Sequence, residues 1–138
     1  MENAAPTPPP VVVIDDDPLH LDMLVTLLER HGFGAAGFTG SRDALYHLID
    51  NPAALAVVDL CMPDMDGLDL VRRLQVSCPE LPVVAISGHD HAGPSLRAMR
   101  DAGAVAALRK PLVPAGFIQA VKNAITRRGA PARPWALG

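Results

Sequence analysis

The sequence predicts an α/β fold, a doubly wound sheet of five parallel strands, and three observations carry that expectation. Short apolar runs of strand length recur along the 138 residues. Each run is followed by a segment whose apolar residues fall at helical spacing, and the breaks between them are short. Strands that alternate with helices in this way lie parallel, because right-handed crossovers return a helix to the sheet after every strand.

Residues 1–10, MENAAPTPPP, are rich in Pro and Ala and offer few core-forming side chains, so an N-terminal tail is expected there. VVVI at 11–14 reads as a strand buried on both faces. Asp17-Pro18 then supplies an N-cap and a first-turn proline, and Met23, Leu24, Leu27 and Leu28 repeat at helical spacing until His31-Gly32 ends the helix. The unit repeats with a strand at 33–38 and a helix at 41–50, then a strand at 55–58 ending in Asp59 and a helix at 67–76. A strand at 82–87 precedes a helix at 94–102 closed by Gly103. The fifth strand, 104–109, has the weakest signal, since its Ala-rich VAALR suits a helix as well. A last helix is expected at 114–127, giving a folded domain over 11–128 and a Pro-containing tail over 129–138.

Composition narrows the function. Hydrophobic residues make up 49% and charged residues 20%, the balance of a globular domain. With one Trp, one Tyr and three Phe, the core must be aliphatic, as buried parallel strands require. A formal net charge of −3 with scattered basic residues lacks the positive footprint of a nucleic-acid binder, so no nucleic-acid partner is expected. No run reaches the roughly 18 apolar residues of a membrane span, and the N-terminus has no basic region ahead of an apolar stretch. A cytoplasmic location without a membrane partner is the expectation. Cys61 and Cys78, the only cysteines, are expected as free thiols.

Ligands of doubly wound sheets bind beyond the carboxyl ends of the strands, where strand order reverses. Acids stand at those ends, with Asp15 and Asp16 after the first strand and Asp59 closing the third. In a flavodoxin-like (βα)5 sheet of order 2-1-3-4-5 these strands are neighbours, and the three carboxylates share one cleft. Such a cluster repels itself and needs a proton, a cation or a metal. Oxygen donors of this kind suit Mg²⁺ held by carboxylates and water. Ser87 closes the fourth strand and Lys110 follows the fifth. A hydroxyl can bond a phosphoryl oxygen, and an ammonium can neutralise its charge. A carboxylate nucleophile, a metal, a hydroxyl and a lysine are the parts of phosphoryl transfer, and they point to an aspartyl phosphate on Asp59. Singly, Asp17 is a helix cap and Asp15 or Asp16 a solvated strand end; specificity lies in the combination.

Other signals carry less. His89-Asp90-His91 lacks further ligands of fixed geometry and reads as a solvated loop, while His20, His31 and His47 fall on helices and are expected at the surface. Neither G-x-x-x-x-G-K nor G-x-G-x-x-G occurs, which removes support for nucleotide chemistry.

Over about residues 11–126 the chain resembles the CheY-like receiver domains of two-component response regulators. The likeness rests on VVVIDDDP, on AVVDLCMPDMDGLDL around Asp59, on AISGH at Ser87 and on LRKP at Lys110. It implies that Asp15 and Asp16 are the paired metal-site acids, Asp59 the phosphoacceptor, Ser87 the hydroxyl residue and Lys110 the site lysine. It also implies that the backbone carbonyl of Cys61 reaches the metal and that the Lys110–Pro111 peptide is cis. The phosphoryl donor implied is a histidine kinase or histidine phosphotransfer protein, in a Mg²⁺-dependent reaction that the domain catalyses only upon itself. Output is then an altered interaction with a downstream protein. Two positions depart from the family, with Ala107 in place of an aromatic that changes rotamer and Leu112 in place of the common Phe. Because Ala107 has no rotamers, the switching element is expected in the 87–94 loop, where Gly88 and Gly93 bracket His89, Asp90 and His91. Two rival functions stand beside this one. A metal-dependent small-molecule phosphatase or phosphotransferase would use the same acids but needs a cap to enclose substrate. A receiver-like binding module that has lost regulated phosphorylation is the other, and the intact Asp15, Asp16, Asp59 and Lys110 argue against it.

Overall fold

Five strands and five helices alternate in the computed structural model, which describes residues 8–60, 67–88 and 95–126. The order is β1 (Val11–Ile14), α1 (Pro18–Arg30), β2 (Ala35–Phe38), α2 (Ser41–Asp50), β3 (Leu55–Asp59) and α3 (Gly67–Ser77). It continues with β4 (Val83–Ser87), α4 (Leu96–Ala102), β5 (Ala106–Arg109) and α5 (Pro114–Thr126). The strands form one parallel sheet in the order β2-β1-β3-β4-β5, as expected.

Strand parity builds the two halves of the core, since successive side chains leave a strand on opposite faces. On one face Val12, Ile14, Ala56, Val58, Val83 and Ala85 pack against α2, α3 and α4 through Leu45, Leu48, Leu70, Leu74 and Met99. On the other, Val11, Val13, Leu55, Val57, Val84 and Ile86 meet α1 and α5 through Leu24, Leu28, Phe117 and Val121. The apolar runs therefore have no polar face because helices cover both sides of the sheet.

Helix ends follow local chemistry. Asp17 caps α1, its side chain accepting from the Leu19 N–H at 3.1 Å, and Pro18 opens the helix. At the other end Gly32, with φ +88°, lets the N–H groups of Gly32 and Phe33 turn back to the carbonyls of Glu29 and Leu28. This is why β2 begins at Ala35 rather than at Phe33, whose N–H closes the helix instead of joining the sheet. Gly103, with φ +123°, does the same for α4, committing the Ala104 N–H to Met99 and delaying β5 to Ala106. Ser95 caps α4 by accepting from Ala98 at 3.1 Å, so the helix starts at Leu96; Pro94, where the sequence placed its start, lies outside the described residues. The Ala-rich fifth segment is a strand because β4 offers it a complete ladder from Val84↔Ala106 to Ser87↔Arg109.

The Lys110–Pro111 bond is cis. Residues 1–7 and 127–138, which hold most of both expected tails, lie outside the described residues. Among the described residues, no helix is long and apolar enough to cross a membrane.

Candidate functional site

The register aligns the carboxyl ends of the strands like steps. Ile14 pairs with Val58, so the next residues outward are Asp15 and Asp59. Asp59 in turn stands opposite Ile86, and Ser87 opposite Arg109, with Lys110 one step beyond. Backbone bonds carry the ladder past the regular strands, from Asp15 N–H to Phe38 at 3.0 Å and from Lys110 N–H to Ser87 at 3.0 Å.

Parity then sorts the side chains. Asp15 and Asp59 continue the alternation of Val13 and Val57, on the face covered by α1 and α5, and Lys110 continues that of Leu108. These side chains meet. Lys110 Nζ donates to Asp59 Oδ2 at 2.7 Å, with Asp59 only 2% exposed. Asp15 is fully buried, and its Oδ1 accepts from the Asp17 N–H at 3.0 Å. Burial pushes the Asp15 carboxyl above its ordinary 3.8, against the opposing pull of hydrogen bonds from His20 and Asp17, and the neighbouring Asp59 charge pushes it the same way as burial.

Ser87 belongs to the opposite parity, that of Val83 and Ala85. It is buried at the end of β4, where its hydroxyl donates to the Gly88 carbonyl at 3.5 Å and accepts from Arg109 Nη1 at 3.4 Å. Both contacts are long for hydrogen bonds. Arg109 shares this parity and faces Ser87 across the β4–β5 ladder. The sequence reading missed Arg109; pairing register combined with strand parity is the signal that finds it.

His20 departs from the surface position expected of it. Its side chain is 19% exposed, and Nδ1 is in hydrogen-bonding contact with Asp15 Oδ2. The cause is local: the Asp17 cap starts α1 immediately after the strand end, and the first turn of that helix overlies the face to which Asp15 points. His31 is exposed as expected, whereas His47 is partly buried with its ring 4.9 Å from that of Phe38.

Asp15, His20 and Asp59 each present one donor atom, and the three lie within 4.8 Å of one another. A divalent ion with ligand distances of about 2.0–2.6 Å can bridge such a group, and two buried carboxylates supply the negative charge it needs. Asp16, at the same strand end, is exposed. Cys61, whose carbonyl the resemblance implied as a ligand, lies outside the described residues, as do His89, Asp90, His91 and Gly93 of the expected switching loop. Cys78 is a free thiol beneath the sheet's opposite end, where it contacts the Leu48 carbonyl at 3.5 Å; burial raises its pKa and quiets its reactivity.

Comparison with known proteins identifies the family and agrees with the fold. A family model described as the response regulator receiver domain matches residues 11–122. The chain is 32% identical over 120 residues to the C4-dicarboxylate transport transcriptional regulatory protein DctD of Rhizobium meliloti, covering 87% of this chain and 26% of that protein. It is 32% identical over 122 residues to the transcriptional regulatory protein FixJ of Bradyrhizobium diazoefficiens, covering 88% of this chain and 58% of that one. The chain thus spans from about a quarter to somewhat over half of the length of these relatives. Among solved structures, a response regulator receiver domain from Clostridium thermocellum superposes with a TM-score of 0.79 at 29% identity, covering 87% of this chain and 96% of that one.

Proposed function

Because the chain belongs to the response regulator receiver domain family of two-component systems, we propose that it accepts a phosphoryl group on Asp59 and signals through altered protein–protein interaction. One observation carries the assignment: the Asp59 carboxylate is buried at a strand end, 2.7 Å from the Lys110 ammonium and beside the buried Asp15. A structural acid has no need of that setting, whereas a nucleophile that becomes a dianionic phosphate does.

The donor is a phosphohistidine on a histidine kinase or phosphotransfer protein. An Asp59 carboxylate oxygen forms a bond to phosphorus as the P–N bond breaks, and the electron pair leaves on the donor imidazole. Asp15, Asp16 and Asp59 would hold Mg²⁺ together with the Cys61 carbonyl, and the ion, when bound, would supply positive charge beside the phosphoryl oxygens. Lys110 holds Asp59 in place before transfer and faces the phosphoryl group afterwards. Ser87, whose hydroxyl makes two long contacts among the described residues, can turn that hydroxyl toward a phosphoryl oxygen. The domain, taken as residues 11–128, catalyses only its own phosphorylation and dephosphorylation.

Incubation with acetyl phosphate and Mg²⁺, followed by intact mass measurement, tests the reading. The wild-type protein should gain one phosphoryl mass and Asp59→Asn none. Steady consumption of acetyl phosphate without any gain in protein mass would favour a small-molecule phosphatase. Uptake by Asp59→Asn at the wild-type rate would show that the nucleophile lies elsewhere.

A further inference from the structure

The acidic pocket contains a side chain that an oxygen-only Mg²⁺ site does not use. His20 enters from the first turn of α1 and presents a ring nitrogen within 4.8 Å of oxygens from both Asp15 and Asp59. Its position is built by structure rather than left to a mobile side chain. Asp17 caps the helix, Pro18 sets its first turn, and the Asp15 side chain that touches His20 also accepts the Asp17 N–H. The result is an imidazole and two carboxylates arranged around one point, of which the carboxylates are almost fully buried.

Donor chemistry distinguishes the ions such a group prefers. Mg²⁺ takes oxygen ligands and gains little from an imidazole, whereas Mn²⁺, Co²⁺, Ni²⁺ and Zn²⁺ bind mixed nitrogen and oxygen sets well. We propose that His20 is a protein ligand of this pocket and tunes it toward first-row transition dications over Mg²⁺. The inference rests on the assignment of the pocket as the metal site of the receiver domain and adds a specificity-determining residue to it. Nitrogen ligation strengthens transition-metal binding and leaves Mg²⁺ affinity nearly unchanged, so the preference is a property of this chain's α1 sequence.

The test uses the full chain with Mn²⁺ and Mg²⁺ as probes. Pulsed electron paramagnetic resonance of the Mn²⁺-loaded protein should show coupling to an imidazole nitrogen, lost in His20→Leu. Calorimetric titration should show His20→Leu weakening Mn²⁺ binding by about tenfold or more while Mg²⁺ affinity changes by less than about threefold. Absence of nitrogen coupling in the wild-type protein overturns the proposal, and so does an equal loss for both ions, which marks His20 as acting only through Asp15. Those two outcomes leave the pocket assignment standing. Failure of the wild-type protein to bind either ion, or undiminished binding by Asp59→Asn, would remove the assignment and the proposal together. Thermal melts establish that His20→Leu is folded; should it not fold, His20→Gln replaces it and the wild-type spectrum still decides.

Discussion

Lys110 Nζ and Asp59 Oδ2 lie 2.7 Å apart although 51 residues separate them, so a charged contact ties the ends of β5 and β3 across β4. The lysine side chain keeps 27% of its surface exposed while the carboxylate keeps 2%. The pair is therefore a buried acid reached by a cation from the rim, and it links folding stability to the signalling site.

Replacing that cation should affect both. Lys110→Ala is expected to fold but to lose about 1–3 kcal/mol, because a buried carboxylate gives up a charge-assisted hydrogen bond. Phosphoryl uptake should persist while the phosphorylated form fails to engage its partner. Urea denaturation measures the first effect, and partner binding by phosphorylated variant and wild type measures the second; normal partner affinity would contradict the role given to Lys110.

Asp15 predicts a gain in stability. Its carboxyl holds a proton more tightly in the folded protein than in the unfolded chain, so folding takes up a proton and ionisation opposes it. The destabilisation is absent below the ordinary value of 3.8, grows as pH rises above it, and is complete once pH passes the raised folded value. Asp15→Asn should accordingly be more stable than wild type at neutral pH without metal, with the gap closing on acidification. Saturating Mg²⁺ should stabilise wild type and leave the variant unmoved. Melting curves across pH, with and without Mg²⁺, would show either pattern; a variant less stable than wild type at every pH would contradict the account.

Gly67 opens α3 in close contact with the end of β3. A Cβ built there would sit 2.4 Å from Leu60 Cα and 2.9 Å from Leu60 O, both main-chain atoms that cannot rotate away. Gly67→Ala should cost about 1–3 kcal/mol despite the better helix propensity of alanine, since the backbone beside Asp59 must shift. Slower phosphorylation should accompany the loss, measured by chemical denaturation and a time course of mass gain. A net stabilisation would show that the strand end yields freely.

Signal exit is the remaining question for Ala107, which sits opposite Ala85 on the α2–α4 face and has no rotamer to change. A beryllofluoride mimic at Asp59 should move amide resonances chiefly in residues 87–103, and Ser87→Ala should shrink those shifts. Changes confined to α1, with 87–103 unmoved, would place the output on a different face.

Much of this was legible in the residues themselves. VVVI followed by Asp15, AVVD ending in Asp59, and the glycines after α1 and α4 act through local chemistry: apolar runs demand burial, an Asp before Pro starts a helix, and glycine accepts positive φ. The sequence by itself therefore determined the five β-α units, the parallel sheet and the candidate acids at its carboxyl edge. Tertiary structure alone decided which side chains meet there. Pairing register and strand parity send Asp15, Asp59 and Lys110 to one face and Ser87 with Arg109 to the other. The pitch of α1 over β1 brings His20 to Asp15, although its position in a helical pattern had suggested the surface. Such contacts join residues whose separation along the chain carries no signal, because they depend on how whole elements stack when both faces of the sheet are buried.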